Sequence, residues 1–245
     1  MKRERLDDYL IRHGYASDKD EAFIVVTEGR VLINDQKAVS PAQSVDLDSR
    51  IEIREPRQFV GRGARKLEAA LDAFGIIHIE DWVCADIGTA TGGFTEVLLL
   101  RGAARVYAID TARGKLALKL RQNPRVIVME ETDVRDLDHL SELIDLVTID
   151  VSLVRLRSIL PTAAKFLAPR GFAVVLFKPQ YETRDAALLR RGVIRNTDDA
   201  KHLLEEFIKW AEENGWKVEK WIESPIKGNK GNTEYLLHLK QLDFK

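Results

Sequence analysis

The chain has 245 residues, of which 45% are hydrophobic and 31% charged, and its net charge is −1. This composition is typical of a soluble globular protein of one or two domains and excludes a disordered chain. The apolar runs are too short to span a bilayer and no signal segment is present, so we expect a cytoplasmic protein without a membrane partner. Cys84 is the single cysteine. A single cysteine excludes an intrachain disulfide and a cysteine-based zinc site, and we expect no metal.

The first 60 residues have the pattern of a small α+β unit. Apolar residues follow helical spacing from Leu6 up to Gly14. A second helix is expected over residues 18–28, with Ser17 as its N-cap. Short strands are expected at residues 31–33 and 50–53, with a turn at Asn34 and Asp35 after the first strand.

A joint is expected over residues 56–63, where proline, glycine and arginine occur without periodicity. The predicted domains are therefore residues 1–60 and 61–245. In the second domain, helices alternate with short apolar segments. We expect a helix near residues 65–75, strands near 82–87, 105–110, 125–129, 145–150 and 171–177, and a strand pair at 217–222 and 234–239. This alternation predicts a mostly parallel, doubly wound α/β sheet with an antiparallel edge.

A glycine-rich loop directly after the first of these strands suggests a ligand. Its sequence is Asp86-Ile87-Gly88-Thr89-Ala90-Thr91-Gly92-Gly93-Phe94-Thr95. The glycines let the backbone turn tightly and approach a ligand, and the helix that follows offers free N–H groups. The spacing differs from the G-x-G-x-x-G of dinucleotide sites, and no Lys-Ser/Thr follows as in a P-loop. The loop therefore favours a nucleotide-like ligand that is less anionic than a dinucleotide or ATP.

Two aspartates at the ends of the next strands extend this prediction. Asp110 ends one strand, where a carboxylate can accept both hydroxyls of a ribose, and Asp133 follows the next, near an adenine amino group. Each of these features has an alternative explanation when it is taken singly: glycines after a strand often only form a turn, and aspartates at strand ends often cap helices. Together they predict an S-adenosyl-L-methionine site. The predicted cofactor-binding residues are Asp86, Gly88, Thr91, Gly92, Gly93, Phe94, Asp110 and Asp133.

Four charged residues lie where the folded sheet would bring them together. Lys66 starts the first helix of the second domain, Asp150 and Lys178 end strands, and Glu234 begins the last strand. Strand ends of such sheets line a common crevice, and the apolar strand before Lys178 has no structural need for a lysine. Methyl transfer to a hydroxyl needs a base and nearby positive charge, which two lysines supply and two carboxylates orient. Ordinary surface salt bridges are the alternative.

These four residues resemble the Lys-Asp-Lys-Glu tetrad of FtsJ-like ribose 2′-O-methyltransferases. Over nearly its whole length, the sequence is similar to the TlyA (haemolysin A) family, which joins an S4 RNA-binding domain to an FtsJ-like, S-adenosylmethionine-dependent methyltransferase domain. The motifs that support the resemblance are Arg5-Leu6-Asp7, Gly29-Arg30-Val31-Leu32-Ile33-Asn34, Arg62-Gly63, Lys66-Leu67, Asp86-Ile87-Gly88, Thr91-Gly92-Gly93-Phe94-Thr95, Asp150-Val151-Ser152, Lys178-Pro179-Gln180-Tyr181-Glu182, Gly192-Val193-Ile194-Arg195, Ser224-Pro225 and Lys230-Gly231-Asn232. The resemblance implies a Rossmann-like sheet with a small N-terminal S4 domain, and 2′-O-methylation of ribosomal RNA.

The resemblance also implies roles for individual residues and a partner. Lys178 is the expected base, and Lys66, Asp150 and Glu234 complete the tetrad. Ribosomal RNA within ribosomal subunits is the expected partner, held by cations that contact phosphates. The expected RNA-binding residues are Arg3, Arg5, Arg12, Lys19, Arg30, Lys37, Arg62 and Arg65. Ala64, Leu153 and Asp35 depart from the family pattern, which commonly has glycine, phenylalanine and glycine at these positions.

Two other functions are compatible with parts of the sequence. A non-catalytic RNA-binding or ribosome-assembly protein would keep the fold without the reaction, but the intact tetrad and glycine loop argue against it. A membrane-active haemolysin would be expected from the second family name. Its helices would need a large basic and apolar face, which this sequence does not provide.

Overall fold

The computed structural model describes residues 3–54 and 59–242. The chain divides into two compact units, Met1–Gln58 and Phe59–Lys245, close to the boundary expected after residue 60. Residues 56–58 of the expected joint lie outside the described residues. From Phe59 onward the segment is packed rather than free: Phe59 is buried, and the Val60 N–H donates to the Glu96 carboxylate at 2.6 Å.

The first unit is the predicted small α+β structure. Its helices are α1 (Leu6–Arg12) and α2 (Lys19–Thr27), and its strands are β1 (Arg3–Arg5), β2 (Val31–Ile33), β3 (Gln36–Lys37), β4 (Ser44–Asp46) and β5 (Ile51–Ile53). Strand β1 pairs with β4, and a second sheet has the order β3-β2-β5, with all pairs antiparallel. Leu6, Leu10, Ala22 and Val31 are fully buried in its core. Strands β1, β3 and β4 were not predicted because, unlike β2 and β5, each contains at most one apolar residue.

Local polar contacts set the boundaries of these short elements. The N-cap of α2 is Asp18, whose carboxylate accepts the Glu21 N–H at 2.8 Å, so the prediction of Ser17 as N-cap was wrong. Ser17 lies one position earlier, and its N–H donates to the Glu21 carboxylate at 2.7 Å. Two carboxylates thus bind the free N–H groups of the helix start. Asn34 and Asp35 both have positive φ and form the tight turn between β2 and β3.

The second unit contains all the predicted long strands. Its helices are α3 (Gly63–Phe74), α4 (Gly93–Leu100), α5 (Leu118–Arg121), α6 (Leu156–Phe166), α7 (Pro179–Glu182) and α8 (Thr197–Glu213). Its strands are β6 (Val83–Ile87), β7 (Arg105–Ile109), β8 (Val126–Met129), β9 (Ile144–Ile149), β10 (Leu167–Phe177), β11 (Trp216–Glu223) and β12 (Tyr235–Gln241). Strand β10 begins earlier than predicted, and its register with β9 shifts between Leu167 and Phe172.

These strands form one sheet with the order β8-β7-β6-β9-β10-β12-β11. The pairs from β8 to β10 are parallel, whereas β12 runs antiparallel to both of its neighbours. The fold is thus the predicted doubly wound α/β sheet, with the antiparallel strand inserted one position from the edge. The order reverses between β6 and β9, and ligands of such folds bind outside the carboxyl ends of the strands at this reversal.

Helices cover both faces of the sheet because its strands are apolar on both sides. Successive residues of a strand point to opposite faces, so Ala85 and Ile87 pack in one core with α6 and α8, while Cys84 packs in the other with α3 and α4. Burial raises the pKa of the Cys84 thiol, which is therefore a packing residue. Within residues 3–54 and 59–242, no helix has the length and apolarity needed to cross a membrane.

Candidate active site

A cleft of about 240 Å³ opens at the point where the strand order reverses. The residues that follow β6, β7, β8 and β9 line it, among them Gly88, Asp110, Asp133 and Asp150. Three successive strand ends predicted as a cofactor site thus border one cleft. This is the position at which a doubly wound sheet binds its ligands.

Gly88 allows two loops of the cleft to touch. Its φ is +84°, and a Cβ placed on it would lie 2.5 Å from the backbone oxygen of Asp150. Any side chain would therefore push the loop after β6 away from the loop after β9. Gly92 also has positive φ, and a Cβ there would overlap the side chains of Leu116 and Leu120. At both positions of the glycine loop, a side chain would therefore overlap neighbouring atoms.

Asp86 stabilises the glycine loop from inside the fold. Its carboxylate is fully buried and accepts the N–H and hydroxyl of Thr95 at 2.9 and 2.6 Å and the hydroxyl of Thr148 at 3.0 Å. Burial outweighs these bonds and raises its pKa to about 6. Phe94 is also buried, packed in the core with α3. These two side chains hold the loop in place, and their assignment as cofactor-binding residues stays a prediction.

Asp110 lies half-buried on the wall of the cleft. One of its oxygens accepts the Ala90 N–H and the other the Ala112 N–H, both at 2.7 Å. The carboxylate is thus fixed between the glycine loop and the loop after β7, and its remaining lone pairs are available to ligand hydroxyls. Thr91 and Gly93 lie on the other side of the glycine loop, where they contact Gly61 and Ala64 beside α3.

Asp133 lines the cleft but already has a cationic partner. Its carboxylate accepts the Arg135 N–H at 3.0 Å and the Arg135 guanidinium at 2.5 Å. These bonds lower the pKa of Asp133 to about 2. A ligand amino group at this position would share the carboxylate with Arg135.

The first half of the predicted tetrad is a buried ion pair. Lys66 in α3 places its Nζ 2.5 Å from Oε2 of Glu234, and both side chains are about nine-tenths buried or more, at 11% and 4% exposure. Glu234 lies directly before β12. Its other oxygen faces Gly228, where a Cβ would overlap it.

The second half joins the ends of two adjacent parallel strands. Nζ of Lys178, directly after β10, lies 2.6 Å from the carboxylate of Asp150, directly after β9. The same nitrogen donates to the Val151 carbonyl at 2.9 Å and to the Ser152 hydroxyl at 3.1 Å. Three acceptors match the three donors of an ammonium group. Lys178 is therefore held in one orientation at the carboxyl end of β10.

Gly63, at the start of α3, connects the two ion pairs. A Cβ placed on it would lie 3.7 Å from Oδ2 of Asp150, and Gly63 is one helical turn before Lys66. Asp150 also lines the cleft. The structure therefore forms two ion pairs from the four predicted tetrad residues, with Gly63 between them and Asp150 at the border of the predicted cofactor cleft.

Sequence reasoning did not assign roles to three residues that hold this site. Ser152 is one of them, although it belongs to a motif used for the resemblance. Glu182 is buried and accepts the Leu156 N–H at 2.5 Å, which ties α7 to the start of α6, and burial raises its pKa. Thr148, which donates to Asp86, gave no signal because it lies within an apolar strand.

The predicted RNA-binding cations of the first unit are largely paired with acids. The ion pairs are Arg3 with Asp46, Arg5 with Asp7 and Asp8, Arg12 with Glu4, Lys19 with Asp7 and Asp8, and Arg30 with Glu28. Lys37 has no such pair within residues 3–54 and 59–242 and is exposed. In the second unit, Arg62 and Arg65 are exposed, and Arg62 donates to the Asn229 side chain. A uniformly basic face is therefore absent from the described part of the first unit.

Comparison with known proteins decides the family of this chain. Residues 59–241 match the family model described as FtsJ-like methyltransferase. The chain belongs to the FtsJ-like methyltransferase family. The resemblance stated from the tetrad and the glycine loop is thereby confirmed, and the fold agrees with it.

Full-length relatives extend the similarity of this FtsJ-like methyltransferase to its first unit. It is 37% identical over 243 residues to the "16S/23S rRNA (cytidine-2'-O)-methyltransferase TlyA" of Mycobacterium tuberculosis, which covers 98% of this chain and 90% of the relative. A solved structure described as "Putative hemolysin from Streptococcus thermophilus" superposes with a TM-score of 0.74 at 35% identity, covering 99% of this chain and 90% of the other. A match of 27% identity over 110 residues to the small ribosomal subunit protein uS4 of Legionella pneumophila covers 45% of this chain and 52% of that protein. It supports the S4-like part of the predicted fold.

Proposed function

We propose that this FtsJ-like methyltransferase transfers a methyl group from S-adenosyl-L-methionine to the 2′-hydroxyl of a ribose in ribosomal RNA. The observation that supports it most directly is the position of Asp150. This residue lines the cleft at the strand reversal and also pairs with Lys178 at 2.6 Å. The same carboxylate therefore borders both the cofactor cleft and the place where a hydroxyl would be activated.

The residues of the cleft fit this cofactor. Asp110 offers a fixed carboxylate to the two ribose hydroxyls, and Asp133 offers an acceptor to the adenine amino group. Gly88 keeps the floor of the cleft free of side-chain atoms. When bound, S-adenosylmethionine supplies an electrophilic methyl group on a sulfonium sulfur. Among the described residues that line the cleft, Arg135 is the one arginine or lysine, and its guanidinium is bound to Asp133. Such a cleft suits this ligand better than it suits a dinucleotide.

The tetrad would activate the hydroxyl. Lys178 would first release one of its three protons to solvent and then take the proton of the 2′-hydroxyl as the oxygen attacks the methyl carbon. Asp150 and Ser152 hold Nζ of Lys178 in the required orientation. Lys66 supplies positive charge that stabilises the developing oxyanion, and Glu234 holds Lys66 in place. The proton of the hydroxyl would end on Nζ of Lys178.

Ribosomal RNA is the proposed substrate because of the relatives. The M. tuberculosis relative is named for cytidine-2′-O methylation of 16S and 23S rRNA, and the chain covers 90% of its length. The small unit, S4-like in fold, is the proposed RNA-binding part, which would place the methyltransferase unit on its target. Under this proposal, ribosomal subunits are the partner.

The decisive experiment is a methylation assay on ribosomal particles. Purified protein is incubated with S-adenosylmethionine and unmodified 30S, 50S or 70S particles, and the digested RNA is searched by mass spectrometry for 2′-O-methylnucleosides. Lys178→Ala should abolish methylation while S-adenosylmethionine still binds in calorimetry. Lys165→Ala removes an exposed lysine at the end of α6, beside the amino end of β10, and serves as the matched control with parental activity.

Each outcome of this assay separates the candidate functions. Methylation that is lost only in Lys178→Ala supports both the reaction and the base. Methylation at the parental rate in that variant contradicts the assigned base. S-adenosylmethionine binding without methylation of any particle contradicts ribosomal RNA as the substrate.

A further inference from the structure

Two loops beside the Lys66–Glu234 pair form one platform, which comprises residues 188–195 and 224–233. Asn232 joins them: its side-chain oxygen accepts the Ile194 N–H at 2.9 Å, and its side-chain nitrogen donates to the Gly192 carbonyl at 3.0 Å. Asn232 is only 3% exposed. A buried amide that uses both of its ends in this way fixes the two loops relative to each other.

Arg191 stands at the tip of a strained turn on this platform. Backbone bonds of 2.9 and 3.1 Å between Arg190 and Val193 close the turn, and both central residues, Arg191 and Gly192, have positive φ. Turns of this type favour asparagine, aspartate or glycine at both central positions. Residues held in such backbone conformations cluster at functional sites. An arginine here indicates that the side chain is needed at the exposed tip.

Two further cations lie next to this turn. Nζ of Lys230 is 3.4 Å from the position that a Cβ of Gly192 would take, and the Arg62 guanidinium donates to the side chain of Asn229. Arg62, Arg191 and Lys230 are all exposed. Across the described ranges, 3–54 and 59–242, none of the three forms an ion pair with a carboxylate, in contrast to most cations of the first unit.

The platform adjoins the tetrad. Gly228 packs against Glu234, since a Cβ on it would lie 3.0 Å from Cδ of that residue. Arg62 is the N-cap of α3, one turn before Lys66. The uncompensated positive charge thus lies on segments that contact or adjoin those of Glu234 and Lys66.

We propose that Arg62, Arg191 and Lys230 bind backbone phosphates of the RNA strand that flank the methylated ribose. This inference rests on the proposed function and names the surface that positions its substrate. Exposed guanidinium and ammonium groups without a carboxylate partner match phosphate oxygens, and arginine can bind them through two parallel bonds. Phosphate contacts fix the position of the strand without reading its bases. The platform therefore sets which ribose reaches the tetrad and adds affinity for any RNA.

The test compares two double variants that remove the same charges. Arg191→Gln with Lys230→Gln removes two platform cations. Arg170→Gln with Lys165→Gln removes an exposed arginine and an exposed lysine near the amino end of β10. Lys178 of the tetrad follows the other, carboxyl end of this strand. Binding of a fluorescein-labelled oligocytidylate RNA is measured by anisotropy at several salt concentrations. Methyl transfer to unmodified ribosomal particles is measured with radiolabelled S-adenosylmethionine.

The platform variant should bind the RNA about tenfold more weakly at low salt, and the slope of log affinity against log salt should decrease by about 1.4. Its KM for ribosomal particles should rise about tenfold with kcat and cofactor affinity unchanged. The matched control variant should behave as the parent. Arg191→Lys with Lys230→Arg, which keeps the charges, should restore RNA affinity.

Parental RNA affinity and salt slope in the platform variant would overturn the inference, as would an equal loss in the charge-keeping variant. The RNA-binding measurement does not need methylation. A parent protein that methylates no particle would therefore contradict the proposed function while the platform is still tested by binding.

Discussion

Lys66 and Glu234 lie 168 positions apart in the sequence, yet Nζ of one is 2.5 Å from Oε2 of the other in the protein interior. The pair links α3 to the start of β12. A buried charge without its partner destabilises the folded state, so removing either of these residues should lower the free energy of unfolding. The same pair is proposed to place positive charge beside the ribose hydroxyl.

Glu234→Gln should lower the free energy of unfolding by about 3 kcal/mol, because the Lys66 ammonium then stays buried without a counter-charge. Methyl transfer should be lost as well. Urea denaturation of the parent and the variant measures the first effect, and the particle assay measures the second.

The double variant Lys66→Met with Glu234→Gln is the control for this explanation. It removes both charges, so most of the lost stability should return while methyl transfer stays absent. A double variant as unstable as the single one would show that the carboxylate matters for packing rather than for pairing.

Gly88→Ala should weaken S-adenosylmethionine binding by at least about tenfold, because the new Cβ would collide with the Asp150 backbone oxygen and separate the two loops of the cleft. Gly114→Ala is a matched control: Gly114 also has positive φ, but a Cβ there meets nothing within 4 Å. It should cost only the strain of a left-handed backbone, about 1–2 kcal/mol. Calorimetric titration of the cofactor separates the two cases, and equal affinities would refute the steric argument.

Asp86→Asn should change how stability depends on pH. The pKa of Asp86 is raised from 3.8 to about 6, so the folded protein holds this proton more tightly than the unfolded chain, and the parent loses stability as pH rises from 4 to 6. Asparagine does not titrate. The difference in free energy of unfolding, variant minus parent, should therefore rise by about 3 kcal/mol between pH 4 and pH 7. Urea denaturation at several pH values measures it, and a constant difference would mean that the carboxyl is not desolvated.

Glu182→Ala should lower kcat for methyl transfer about tenfold without changing cofactor affinity, because the Leu156 N–H loses its acceptor and α7, which follows Lys178, is no longer tied to α6. Glu182→Gln keeps an acceptor oxygen. Since burial already raises the pKa of Glu182, the neutral amide should retain most of the activity and a thermal midpoint at or above that of the parent. Single-turnover rates and thermal denaturation check this, and an equal loss of activity in both variants would argue against a positioning role.

Much of the fold was predictable because its signals are local. Most long strands of the second unit are apolar runs bounded by glycine or polar residues, and helices such as α3 show a clear apolar face. Strands β1, β3 and β4 were missed since each has at most one apolar residue, and β1 and β4 pair across a long stretch of sequence. The N-cap of α2 was misplaced by one residue because Ser17 and Asp18 are both good capping residues.

By itself, the sequence determined the succession of long strands and intervening helices along the second unit, the glycine loop and the four charged residues at strand and helix ends. These features depend on residue type and spacing along the chain. Only the tertiary structure decided that Lys66 pairs with Glu234 and Lys178 with Asp150, and that Asp86 is buried. It also decided that most cations of the described part of the first unit have acidic partners. It also brought Arg191 and Lys230 to neighbouring positions. Ion pairing and burial depend on distances between segments far apart in sequence, and sheet register and loop packing set those distances.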